Sequence, residues 1–179
     1  GLTNATSGKD ALTLKVNNVA PVTADQLLTL DGFTSVKVDA FAVTAISGSA
    51  ADVKKLVAAN GVDIAKNVNF DLGTTTTNAS DLATILKATT GEVKATVAAD
   101  TAAKLNAALK DANSGDALTL TVNGTTATAK DLISLDGKTT AITLNVGAIT
   151  GNITEITKVF VDDAANFTSV GNTAATISG

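Results

Sequence analysis

The chain contains no cysteine, histidine, methionine, tryptophan, tyrosine or arginine, and Pro21 is its only proline. Without thiols there are no disulfides and no thiolate metal sites. Without histidine the commonest general base and commonest metal ligand are gone. All 13 basic residues are lysine, so the guanidinium fork that suits phosphate is missing. Against 17 carboxylates they leave a net charge of −4 and a pI near 4.6. That balance repels a polyanion, so no nucleic-acid partner is expected. No apolar run approaches the ~18 residues of a membrane-spanning helix, so no membrane insertion is expected either. Catalytic signatures are equally scarce. There is no Ser-x-x-Lys, Gly-x-Ser-x-Gly, dinucleotide fingerprint or phosphate loop, and the expectation is a protein that is not an enzyme.

What remains is mostly Ala, Thr, Val, Leu, Asp, Asn and Gly, arranged repetitively. Ala-Leu-Thr-Leu-Lys-Val-Asn at 11–17 returns as Ala-Leu-Thr-Leu-Thr-Val-Asn at 117–123. Strings of the same alternation occur at 36–39, 68–72, 93–97 and 142–146, the period-2 pattern of half-buried strands. Their central inward residues are Leu14, Val38, Phe70, Ala95, Leu120 and Leu144, separated by 24, 32, 25, 25 and 24 positions. Spacings of this order mark a repeat architecture. The long interval holds 41–48, read as an inserted turn or short strand.

Each strand is followed by a short helix with a start signal: Thr23…Gln26, Ser49…Asp52, Asn78…Asp81, Thr128…Asp131 and Asn152…Glu155. A capping oxygen three residues ahead of an acceptor is the capping box or its Asp variant. Asp100 is expected to cap a further helix from Thr101 to about Ala112. The Asx/Ser/Thr-Gly pairs ending at Gly32, Gly61, Gly91, Gly115 and Gly137 are expected to stop helices with glycine in the left-handed conformation.

Strand and helix alternating at this distance predicts parallel strands with right-handed crossovers. Strands that alternate rather than run continuously apolar predict helices on one face and solvent on the other. The expected fold is therefore α/β, a right-handed strand–helix solenoid with a one-sided parallel sheet. Its layout is like that of leucine-rich repeats without their Leu/Asn signature. Residues 1–9 are expected to be a flexible lead or linker, and 10–179 a single repeat domain of six to seven units. The interval from Phe160 to Phe167 reads as a loop, with a seventh strand near 167–170. A chain opening at Gly1 is expected to be a processed product or a piece of a longer array.

The outward residues form the candidate binding face. One row is Thr13, Lys37, Asn69, Lys94, Thr119 and Thr143; the next is Lys15, Asp39, Asp71, Thr96, Thr121 and Asn145. Row neighbours lie about 4.8 Å apart, so Lys15 is placed to pair with Asp39. Asp39 beside Asp71 would be a like-charge contact that a cation could relieve. Asp162 and Asp163 are the other candidate metal ligands, although no calcium-loop motif surrounds them and no cofactor is expected. The competing reading of this face is a solvated surface.

The stretches at 24–32, 38–53 and 130–140 resemble repeats in very large secreted bacterial proteins. These are haemolysin-like, surface-layer and adhesin proteins exported by type I secretion. Their calcium-binding Gly-Gly-x-Gly-x-Asp nonapeptide is absent here. The resemblance implies an extracellular or cell-surface structural or adhesive module. Its partners would be further repeats of the same polypeptide, self-association, or surface glycans met on the polar sheet face.

Overall fold

The computed structural model describes residues 9–17, 21–139 and 141–178. The expected lead at 1–9 lies outside the described residues except for Lys9. The chain is α/β, with a mostly parallel sheet of eight strands and a separate two-stranded sheet. It divides into two compact units, one of residues 1–75 and 84–94, the other of 76–83 and 95–179.

In the first unit β1 (Val22–Thr23) runs into α1 (Ala24–Phe33), then β2 (Val38–Ala40), β3 (Ala45–Ser47), α2 (Ala50–Ala58) and β4 (Val62–Ile64). Two ladders result. β1 pairs with β3, and β3 with the start of β5 (Asn69–Thr77), through Val22↔Ile46 and Ile46↔Phe70. β2 pairs with β4 through Val38↔Val62. Each partner is 24 residues on, because 46−22, 70−46 and 62−38 agree. The segment at 41–48 thus holds the short strand that its sequence suggests, as part of the regular step and not as an insertion. It carries β3, and two strands precede each of the next two helices, β2 and β3 before α2, and β4 and β5 before the helix Ala79–Leu86. The strand predicted at 11–17 appears as isolated bridges, with Val16 N–H donating to Asp39 O at 2.8 Å and Asp39 N–H to Leu14 O at 2.9 Å.

After α3 (Ala79–Leu86) and β6 (Val93–Val97), the second unit contains α4 (Ala102–Ala108), β7 (Ala117–Thr128), α5 (Ala129–Asp136) and β8 (Ala141–Gly151). Next come α6 (Ile153–Thr157), β9 (Phe167–Thr168) and β10 (Ala174–Ile177). Between α6 and β9, where the sequence reads as a loop, Lys158–Asp162 form a π-helical turn and Ala164–Asn166 a 3₁₀ turn. Leu120 faces Ile142 in β7–β8, a step of 22 residues.

Alternation along the strands works as the sequence predicts. In β8, Ile142, Leu144 and Val146 are buried while Thr143, Asn145 and Gly147 are exposed. Helices this short are marginal alone and depend on burying one stripe. Leu27, Val53 and Leu56 do so in the first unit, and Leu105, Leu132 and Leu135 in the second.

The caps follow side-chain reach. Thr23 with Gln26 and Asn152 with Glu155 close full capping boxes. Aspartate is one methylene too short for that, so Asp52 and Asp131 instead accept the cap hydroxyl, Ser49 Oγ at 2.7 Å and Thr128 Oγ1 at 2.8 Å. Asp100 does not cap α4. The cap is Thr101, which makes no side-chain capping bond, and the helix ends at Ala108.

The five helix-terminating glycines are not left-handed: positive φ among the described glycines occurs at Gly48, Gly73 and Gly124. Gly61 and Gly91 serve close approach instead. A Cβ on Gly91 would lie 2.5 Å from the carbonyl oxygens of Asn67 and Val68. One device was not anticipated. Buried Thr34 donates to Leu12 O at 2.6 Å and accepts the N–H groups of Leu12 and Val36. Thr89 treats Val68 O the same way, and Thr139 the carbonyl of Leu118. Each of these threonines stands three or four residues before a buried strand residue, Val38, Val93 and Ile142.

Candidate functional site

The outward polar face is the one surface that sequence singled out, and its side chains are all exposed or half-buried. In the first unit it resolves into ion pairs. Lys15 Nζ lies 3.5 Å from Asp39, Lys37 3.0 Å from Asp63 and Lys94 3.3 Å from Asp71. The Lys15–Asp39 pair is as expected; the Asp39–Asp71 contact is not formed. Asp39 stands in register with Asp63, and Asp71 with Ser47, because β4 occupies the place that sequence gave to β5. Asp71 is further held by the Gly73 N–H at 2.8 Å. That bond, followed by Lys94, keeps its carboxyl below the ordinary range. Asn69 is occupied as well, since its Oδ1 accepts the Glu92 N–H at 2.9 Å. Thr13 is exposed.

In the second unit the 22-residue step shifts the expected rows by two. Thr121, not Thr119, stands opposite Thr143, and Asn123 opposite Asn145; Thr119 faces Ala141. The two asparagines join through Asn145 Nδ2 to Asn123 Oδ1 at 3.1 Å. Thr168 Oγ1 donates to Thr143 Oγ1 at 3.2 Å, extending a run of hydroxyls. Thr96 is half-buried on β6. In front of β8 this face opens into a cleft of about 480 Å³ lined by Thr121, Thr143, Leu144, Asn145, Val146, Ser169 and Thr173.

Asp162 is exposed, and Asp163 is taken by Lys158 at 2.7 Å. Beside them lies a group that sequence did not single out. Asp136, at the end of α5, accepts from Asn166 Nδ2 at 3.2 Å through one oxygen, while its other oxygen is buried with no partner. Desolvation, assisted by the Asp163 charge, raises its carboxyl above the ordinary value. Among the described residues no group of three or more Asp, Glu, His or Cys side chains converges as a metal cage.

No family model, curated protein or solved structure matches the chain. The reading of these sites therefore rests on their geometry.

A carboxyl whose folded pKa is raised opposes folding once it ionises. Its penalty is full above the folded pKa and disappears as pH falls below the unfolded value. Asp136→Asn keeps an acceptor for Asn166 and removes the charge. The variant is expected to be more stable than the parent at pH 7 by up to about 1 kcal/mol, with the difference vanishing by pH 3. Urea melts across that range check this, and a parent that is the more stable at pH 7 would contradict it.

Proposed function

We propose that this chain is a non-catalytic structural or adhesive repeat module of a bacterial secreted or cell-surface protein, coiled as a right-handed strand–helix solenoid. The observation that carries the reading is the constant step of the first unit. Val22, Ile46 and Phe70 follow one another across one ladder as Val38 and Val62 do across the other. In a solenoid each coil contacts only its neighbours, so stability is a sum of coils and interfaces. The lysine–aspartate pairs and the threonine staples join one coil to the next, and both suit a scaffold better than a reaction centre. The resemblance to repeats of large secreted bacterial proteins adds the expected setting, with further repeats of the same polypeptide as neighbours.

Deleting the 24 residues from Val38 to Gly61 tests the architecture. Val62 then stands where Val38 stood and Phe70 where Ile46 stood, in unchanged register. A cooperative melt at reduced stability is the expected result, whereas a fold without repeats would lose its transition altogether. Turnover of any hydrolase substrate that depended on a particular aspartate or lysine would overturn the non-catalytic part.

A further inference from the structure

We infer that the cleft in front of β8 is a binding site for a neutral, hydroxyl-rich saccharide. The coil deletion leaves every cleft residue in place, so this site and the repeat architecture can fail separately. The inference narrows the expected polar face to one location, and three observations carry it.

The first is a gap in the sheet. One edge of β8 pairs with β9 at Ile142 and Thr143, and with β10 from Ala148 to Gly151. Between these runs, at Leu144 to Gly147, no described strand pairs with that edge. Backbone donors and acceptors on an open edge need a partner. The side chain of Thr173 reaches only Val146 O, at 3.4 Å. The gap is closed at both ends by β9 and β10, so an added peptide strand cannot run through it. A small ligand can.

The second is the chemistry of the lining. Thr121, Thr143, Ser169 and Thr173 present hydroxyls and Asn145 an amide, groups that both donate and accept; Leu144 and Val146 complete the wall. Sugar hydroxyls have the same dual character. No charged side chain lines the cleft, so an ion gains no charge–charge attraction from its lining. Its volume, about 480 Å³, lies within the range of small-ligand sites.

The third is the backbone at the rim. Ser169 holds φ 68° and ψ 21°, the left-handed region that non-glycine residues avoid. This turn carries the chain from β9 into the 3₁₀ turn Val170–Asn172, across the mouth of the gap. Strain of this kind persists where the surrounding structure fixes it and gathers at ligand sites. With no aromatic platform in the lining, affinity comes from hydrogen bonds, and a dissociation constant of about 1 mM is expected.

The test is an NMR titration of the ¹⁵N-labelled full chain with maltose, cellobiose, lactose and N,N′-diacetylchitobiose, and with sialyllactose as the charged comparison. Saturable shifts at the amides of Thr121, Thr143, Asn145, Val146, Ser169 and Thr173 are expected with at least one neutral sugar. Thr121→Val with Asn145→Ala should weaken that binding about tenfold or more without altering the melt, since neither side chain is buried. The inference is overturned if no neutral sugar shifts these amides at about 100 mM. Saturation by sialyllactose alone, or undiminished binding by the double variant, also overturns it.

Discussion

Phe70→Ala is expected to lower the unfolding free energy by about 3–5 kcal/mol. The side chain is 1% exposed, its residue sits opposite Ile46, and its own N–H donates to Glu92 O at 2.9 Å. Truncation therefore leaves a cavity between backbones that ladder bonds hold on both sides, where collapse is limited. Phe41 supplies the control. It is 62% exposed, and Phe41→Ala should change stability by no more than about 0.5 kcal/mol. Urea denaturation of both variants measures the contrast, and equal effects would remove Phe70 from the core.

The second large effect is expected at a residue with no side chain. Gly91→Ala places a methyl 2.5 Å from two backbone carbonyl oxygens, those of Asn67 and Val68. Thr90 N–H is bonded to Lys66 O at 2.7 Å, and Gly91 N–H to Thr89 Oγ1 at 2.9 Å, so neither segment can withdraw cheaply. A loss of about 2–3 kcal/mol is expected. At Gly61 the obstacle is nearer, Asp31 Oδ1, but it is the end of a side chain and can swing away. Gly61→Ala should cost less than about 1 kcal/mol. Thermal melts of the pair decide whether backbone or side chain is what each glycine avoids.

These two residues also show how far the sequence could be read. Phe70 was legible as an inward position because alternation over five residues fixes a face. Gly91 was not. An Asx/Ser/Thr-Gly pair after a helix looks the same whether glycine turns left-handed or lets a neighbouring segment pass, and only the tertiary neighbour distinguishes them. The polar rows failed for a related reason. Val62–Ile64 is three residues long, too short for alternation to register, so the periodicity steps from Val38 to Phe70 and sets Asp39 beside Asp71 instead of Asp63. The repeated Val-Asp at 38–39 and 62–63 was the available clue. Asp136 and the cleft could not be found from sequence, because burial of one carboxylate oxygen and a gap in strand pairing arise only when segments far apart in the chain meet.

The threonine staples have a kinetic consequence. Thr34 reaches Leu12 across 22 residues, Thr89 reaches Val68 across 21, and Lys94 reaches Asp71 across 23. The loop closed by each contact is thus nearly constant, and closure entropy grows only with the logarithm of loop length. A chain lengthened by more such strand–helix units would meet the same entropic barrier at every step. Its folding rate would follow the length of one unit rather than that of the whole polypeptide, unlike sheets whose pairings grow more distant as strands are added.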